Sequence, residues 1–575
     1  MTNVEKSETP ITAKQDNPKT ESAWTPLRHA VFRSIWIASV ASNVGSTMHD
    51  VGAAWLMASL TSSAIMISLM QTASSLPIFL VALPAGALAD LIDRRRLLLV
   101  TQGWMLVTAA ALGILTLLHL VTPWVLLVLT FVLGVAGAMN NPAWQAMTPE
   151  LVPPAELAPA VALNGVGFNL ARAIGPALGG LIVGATGGSW AVFLLNAISF
   201  LGIMVVLYLW RRKPRDSEAP TERMLGAIRA GSRYVRHSPA LHAVLVRTGV
   251  FILCGSGMWG LLPFLAKHEL QLSAAGYGGL LACFGIGAVT GANILPIVRH
   301  RISIDRLVAG ACVLFAIVSV ALAYIRVFLA VCPVMFIAGG TWMTLMSTLN
   351  VSAQIAVPAW VRARALSIYL LVFQGGLAIG SVIWGAMAER FGIRVALDGA
   401  AIGLIVGLAV VPRFRLGIAE GLDMTPSAHW EDPLVENEPA LEHGPVLVLV
   451  EYRINPEQAN DFAEVMREVR TIRRRDGAIR WGLFHDVADP SRCIETFVVE
   501  SWAEHLRQHE RATMADQEAE ARARGFHVGE SPPIVSHLVS SYGYVDSHAA
   551  FTANGTDGSS NGTGVKHSGV QPLHL

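Results

Sequence analysis

About twelve long apolar runs, almost free of charge, fill the first four hundred residues, and no other feature of this 575-residue chain constrains its fold as strongly. A bilayer core of about 30 Å takes roughly 20 helical residues at 1.5 Å rise each, and only a helix or a closed barrel satisfies its backbone polar groups there. The runs therefore predict spanning helices near residues 34–58, 63–89, 97–118, 123–145, 161–185, 189–210, 245–266, 274–298, 305–325, 327–350, 364–388 and 394–411. Composition agrees: 53% of residues are hydrophobic and 14% charged, against the roughly 25% charged of soluble domains. Most of the chain has lipid as its solvent.

The net charge of +1 hides a polarity along the membrane normal. Arg28 and Arg33 precede the first span, Arg94, Arg95 and Arg96 follow the second, and Arg211, Arg212, Lys213, Arg215, Arg223, Arg229, Arg233 and Arg236 follow the sixth. Arg299, Arg301, Arg306, Arg362, Arg364, Arg413 and Arg415 continue the series. The connections around Ser59 to Ser62, His119 to Pro123 and Thr186 to Ser189 carry no charge, although those near Lys267, Arg326 and Arg390 do. The positive-inside rule then puts both termini in the cytoplasm, an even-number topology. Five cysteines show no spacing for metal or disulfides, and the polar first thirty residues lack the apolar core of a signal peptide.

The expected class is an all-α polytopic membrane protein of 12 transmembrane helices in two six-helix bundles, followed by an α+β ferredoxin-like soluble domain. Its expected parts are a polar cytoplasmic N-terminus (1–30), a first bundle (31–210), a cytoplasmic linker (211–240), a second bundle (241–412), a Pro- and acid-rich linker (413–444), the soluble domain (445–546) and a disordered tail (547–575). Two bundles of six suit alternating access to a site near the midplane. In the linker, Met224, Leu225, Ile228, Tyr234 and Val235 alternate with arginines, which fits either a basic amphipathic helix on an anionic leaflet or a plain tether. The soluble part reads strand 446–453, helix 456–474, strand 479–487, strand 492–500, helix 502–522 and strand 535–545, the split β-α-β-β-α-β order. One face of its sheet needs cover, and homodimerisation through that face would supply it.

Between spans two and three runs GALADLIDRRR, residues 86–96. With its Gly86, Leu88, Asp90, Arg94, Arg95 and Arg96, the chain here resembles the major facilitator superfamily, although Leu91 stands in place of the usual basic residue and Asp93 in place of the usual Gly. The resemblance implies that Gly86, Asp90, Arg94, Arg95 and Arg96 act as a conformational latch between the halves; the plain alternative is a topology signal. In span five, ARAIGPALGG (171–180) resembles that superfamily's export-associated motif at Gly175, Pro176, Gly179 and Gly180. Pro176 frees a backbone carbonyl and the glycines permit close helix approach, so the same residues also read as small-residue packing.

Intramembrane ionisable groups are few: Asp50, Arg172 and Asp398, with His49 beside the first. A lone carboxylate at membrane depth is costly unless paired, protonated or hydrated, which makes Asp50 and its prospective partner Arg172 the candidate proton-coupling residues; a permanently ionised structural Asp is the alternative. Asn43, Gln71, Asn140, Asn169, Asn350 and Gln374 are candidates to line a central cavity or to bond helices together, as are Asn141, Asn164 and Gln354. Trp55, Trp144, Trp259, Trp342 and Trp384 are either aromatic platforms for a substrate or interfacial anchors. The chain has no GxxxxGK[ST] loop, so its energy is expected from an ion gradient or the substrate's own gradient; no cofactor, metal or nucleic-acid partner is expected.

The stretch SNVGSTMHDVGAAWLM (42–57), taken with GALADLIDRRR and FGIRVAL (391–397), is similar to the branch of the superfamily that holds bacterial enterobactin exporters and transmembrane secretion effectors. The resemblance covers roughly residues 25–415 and implies an inner-membrane exporter, proton-driven, of a siderophore, drug or secondary metabolite. The soluble part resembles the dimeric α/β-barrel domains of small antibiotic-biosynthesis monooxygenases through its strand order and ETFVVESWAEHLRQHE (495–510). Trp481, His485, Trp502, His505 and His509 are the counterparts of a pocket there; His505 and His509, one turn apart, suit either a solvated helix face or a metal. Three functions stay open: an exporter with a non-chemical tail, a fused enzyme and exporter, and a receptor with a transporter fold.

Overall fold

The computed structural model describes residues 24–210, 224–419, 421–427, 429, 430, 435 and 439–541, without the side chains of 82–84, 86–91, 224–230, 418 and 419. The expected disordered tail and the first 23 residues lie outside this set. The chain divides into two compact units, Met1–Thr425 and Pro426–Leu575.

The first unit is helical. Its first half holds α1 (Ala30–Leu60), α2 (Ala64–Leu91), α3 (Arg94–Leu117), α4 (Pro123–Leu151), α5 (Leu157–Thr186) and α6 (Trp190–Leu209). After a linking helix α7 (Met224–His237), the second half holds α8 (Pro239–Phe264), α9 (Ala274–Arg299), α10 (Ile304–Tyr324), α11 (Phe328–Ile355), α12 (Arg362–Phe391) and α13 (Ile393–Gly407). Capping residues set several starts: the Asp93 side chain accepts from Arg96 N, Thr122 from Val125 N ahead of Pro123, and Ser273 from Gly276 N. Gly392, at φ +87°, makes the turn between α12 and α13 that a residue with a Cβ would resist.

Each of the twelve expected spans has its helix, but several helices run further than the apolar run that signals them: α4 continues to Leu151, α11 to Ile355, and α8 starts at Pro239. Hydropathy marks the part of a helix in lipid, whereas backbone hydrogen bonding continues into polar turns at the surface. Among the described residues, eleven helices are long and apolar enough to cross a membrane. The exception is the 31-residue α1, which carries Asn43, Ser46, Thr47, His49 and Asp50 and packs chiefly on α5 and α6. α7 is more than a tether: Tyr234 is fully buried, its hydroxyl donating to Ala356 O at 3.3 Å and its ring edge-on to Trp360.

The second unit is a four-stranded antiparallel sheet, β1 (Val446–Arg453), β2 (Arg480–His485), β3 (Arg492–Val499) and β4 (Ile534–Val539), in the order β2-β3-β1-β4. With α14 (Ala459–Asp476) between β1 and β2 it is the split β-α-β-β-α-β fold. The expected single helix 502–522 is two, α15 (Trp502–Arg511) and α16 (Met514–Arg524). Thr513 caps α16 through a capping box with Asp516, so the chain leaves the helix at Ala512 and starts again. Val446, Val448, Val450, Tyr452, Phe497 and Val499 face the helices and are buried. The other face carries Leu447 between Val498 and Leu538, and Phe484 opposite Ile494; Leu538 and Phe484 are 50% and 58% exposed.

Candidate functional site

Helices α1 and α5 approach almost backbone to backbone because the small residues of the 175–180 motif face α1. A Cβ on Gly175 would overlap Thr47 Oγ1, and one on Gly179 would lie 3.0 Å from Met48 Cα. Thr47 fills the contact by donating to Ala171 O at 3.1 Å. One residue further, Gly180 turns to the other half of the molecule, where its Cβ would meet Gly278 Cα and Ala274 O of α9, each at 2.7 Å. The motif is thus a double seam: two glycines bind α5 to its own half, and one binds the halves to each other.

This seam brings together the two charges read from the sequence. Asp50 and Arg172 are both exposed, are not in direct ion contact, and interact electrostatically. Among the described residues no hydrogen bond engages the Asp50 carboxylate. Tyr277 of α9 lies in the same field, stacked on Trp55 at 5.9 Å, and the Lys267 ammonium sits 4.7 Å above the Trp55 ring. Asp50 thus interacts with Arg172 of its own half and with Tyr277 of the other, and Trp55 lies against both Tyr277 and Lys267 of that other half. The sequence does not single out these two residues, because nothing in one dimension links Tyr277 to Asp50 or Lys267 to Trp55. His49, by contrast, is buried against Phe193 at 4.6 Å with neither ring nitrogen bonded, and points away from a relay with Asp50. Asp398 accepts from the Tyr324 hydroxyl at 2.8 Å.

The polar candidates separate by what they touch. Asn140 accepts from Thr101 and Gln102 at 3.0 and 3.3 Å, and so bonds α4 to α3. Gln71 donates to Ser75, Asn43 to Ser39, and Gln354 to Asn350, each within its own helix. Asn169 is exposed and Gln374 buried. Trp259 and Trp342 pack in a ring cluster with Phe251, Phe284 and Phe315, at centroid distances of 4.9 to 5.8 Å. Trp384 donates its indole N–H to Leu253 O at 2.7 Å.

The halves are joined by hydrogen bonds at the ends away from the arginines: Ser68 Oγ to Gly260 O at 3.1 Å, Thr72 Oγ1 to Ala378 O at 2.9 Å, and Ala64 N, at the start of α2, to the Glu389 carboxylate at 2.6 Å. At the arginine-rich end the described side chains include ties within each half. Arg94 pairs with Glu150 at 2.8 Å and Arg95 donates to Leu207 O and Tyr208 O. In the second half, the buried Arg247, overlooked in the sequence because its run reads as apolar, pairs with Asp305, which also accepts from Leu416 N and Gly417 N. The side chains of Gly86 and Asp90 lie outside the described residues.

In the soluble unit the space between sheet and helices holds charge as well as apolar packing. Arg473 bridges Glu495 at 3.1 Å and Glu520 at 2.6 Å, over Trp430 and Phe497. Burial would raise the Glu520 pKa, but Arg473 and hydrogen bonds from His429 and Trp430 outweigh it and hold the group at about 2. The solvated-face expectation for the histidines fails: His505 is buried, its Nε2 is 3.3 Å from that of His509, and burial with His537 and His509 nearby depresses it to about 3. Among the described residues no three His, Cys, Asp or Glu groups are placed to hold a metal.

Comparison with known proteins accords with this architecture. The family model described as transmembrane secretion effector matches residues 21–543, so it extends over the soluble unit. The chain is similar to the multidrug efflux pump Tap of Mycolicibacterium fortuitum, 24% identical over 66% of this chain and 95% of that protein. It is also similar to the staphyloferrin A transporter of Staphylococcus aureus (24%, over 61% and 87%) and the enterobactin exporter EntS of Escherichia coli (24%, over 66% and 90%). In fold it matches a bacterial homologue of the human lysosomal transporter Spinster, inward-facing and unoccupied, with a TM-score of 0.55 at 15% identity over 68% of this chain and 98% of that one. The nucleoside transporter NupG gives 0.53 at 12% over 67% and 99%. With twelve helices in two halves among the described residues and a family match over nine-tenths of its length, the chain belongs to the transmembrane secretion effector family of the major facilitator superfamily, whose members are membrane transporters and not enzymes.

Proposed function

We propose that this protein is a secondary exporter that expels a small molecule, a siderophore, drug or secondary metabolite, across a bacterial inner membrane by alternating access in exchange for protons. Both termini face the cytoplasm in this reading, and the side bearing the arginines is the cytoplasmic one. The observation that carries it is the pair Asp50 and Arg172: two opposite charges at membrane depth that feel one another without an ion pair, beside the seam where the halves meet. A carboxylate held this way can exchange a proton when substrate or a change of state alters its distance from the guanidinium. Lys267, Trp55 and Tyr277 add a cationic and aromatic wall suited to an anionic or aromatic cargo. Gly175, Gly179 and Gly180 with Pro176 form the flexible seam, and Gly86, Asp90, Arg94, Arg95 and Arg96 serve as the latch of the arginine-rich side. The polar face of the path is drawn from Asn43, Gln71, Asn169, Asn350 and Gln374. The soluble unit dimerises through its open sheet face.

The test is substrate-dependent proton movement in proteoliposomes, screening siderophores and aromatic drugs, for the parent chain and for Asp50→Asn. Coupled flux in the parent that Asp50→Asn abolishes while binding survives is the expected result; unchanged proton flux in the variant removes Asp50 from the coupling mechanism.

A further inference from the structure

Helix α2 begins without its own full cap. Ser63 Oγ serves Met66 N at 3.4 Å, which leaves the Ala64 and Ile65 N–H groups unserved by their own chain segment. A carboxylate from the opposite half takes them. Glu389, in the last turn of α12, accepts through Oε2 from Ala64 N at 2.6 Å, from Ile65 N at 3.3 Å and from Ser63 Oγ at 3.1 Å. Orphan N–H groups and the positive end of the helix dipole make this a favourable place for negative charge. One turn earlier, Gly385 admits α2: its Cβ would lie 2.6 Å from Ser68 Cβ and 3.2 Å from Ile65 Cα.

The sequence repeats the arrangement. Residues 385–394 read GAMAERFGIR and residues 86–95 read GALADLIDRR, so Gly385, Met387, Glu389 and Arg394 align with Gly86, Leu88, Asp90 and Arg95. Arg390 and Gly392 supply the basic residue and the glycine that the first copy replaces by Leu91 and Asp93. The first copy ends α2 on the arginine-rich side, and the second ends α12 on the other. α2 and α12 also form the most extensive contact between the halves. A Gly followed one turn later by an acid thus stands at the end of each helix of this pair.

We propose that Glu389 is the gate residue of the side opposite the arginines: its carboxylate caps α2 across the two halves while that side is closed and releases it when that side opens. The inference rests on the alternating-access reading, in which Asp90 does the same at the other end in the other state. Because the contact joins the halves and not one helix to itself, its free energy belongs to one state alone and biases the equilibrium between them. A carboxylate at an exposed helix N-terminus supports a shift of about fivefold, ~1 kcal/mol at 1.4 kcal/mol per tenfold.

The experiment uses the full chain in lipid nanodiscs, with the five native cysteines replaced, and pulsed electron spin resonance distances from two label pairs. Ser62→Cys with Phe391→Cys reports on the Glu389 end, and Gln145→Cys with Ala359→Cys on the arginine-rich end. Glu389→Gln is expected to raise the ratio of long to short distances in the first pair about fivefold and to lower it in the second. Asp90→Asn should do the reverse, and Glu389→Asp, which keeps the charge, should stay near the parent. If Glu389→Gln leaves the first pair unchanged while Asp90→Asn moves both, the gate role of Glu389 is overturned. If the first pair opens and the second does not respond, the contact stands and the alternating-access reading fails.

Discussion

Two glycines of one motif should fail in different ways when each acquires a methyl group. In Gly180→Ala the new Cβ would lie 2.7 Å from both Gly278 Cα and Ala274 O, backbone atoms that have no rotamer to escape into. Overpacking of this kind costs about 1–3 kcal/mol. The contact exists only while the halves are closed at that end, so the cost falls on the closed state and should shift the balance toward opening there by about 5- to 150-fold. In Gly175→Ala the clash is with Thr47 of the same half, a contact that both states keep. That variant should lose thermal stability without moving the balance between states. The assay pairs a thermal melt with the label distances across the Ser62 and Phe391 ends. A Gly180→Ala chain whose distances match the parent, or a Gly175→Ala chain that shifts them as much as Gly180→Ala, would refute the division of the motif into an inner and a crossing seam.

The soluble unit should be acid-labile through two groups of the same sign. His505 stays neutral in the fold to about pH 3 but takes a proton near 6.5 when unfolded, so stability falls as pH drops from 6.5 toward 3. Glu520, at about 2 in the fold against 4.5 unfolded, adds stability above 4.5 that is lost between 4.5 and 2. Protease susceptibility of residues 439–541 in the full chain should rise steeply between pH 7 and pH 4 and less so in His505→Asn; a flat profile in the parent would count against the buried neutral histidine. If the open sheet face pairs two copies, Leu538→Asp should convert a detergent-solubilised dimer to monomer by mass photometry, and a parent that is monomeric at micromolar concentration removes the dimer.

Much of this protein was written in one dimension. Runs of apolar residues and their flanking arginines determine the twelve helices and their alternation, because lipid allows a spanning segment few other solutions and membrane insertion sorts positive charge. The strand order of the soluble unit was equally legible, since alternating burial leaves a period of two in β1 and β3. The motif at 175–180 announced close packing, but which glycine faced which helix depended on the rotation of α5 between α1 and α9. Only the tertiary structure placed Tyr277 near Asp50 and Lys267 over Trp55, turned His505 inward and set Glu389 at the start of α2. A carboxylate read in sequence has a cost but no partner; the partners here lie 120 to more than 300 residues away, and only packing between helices brings them within reach.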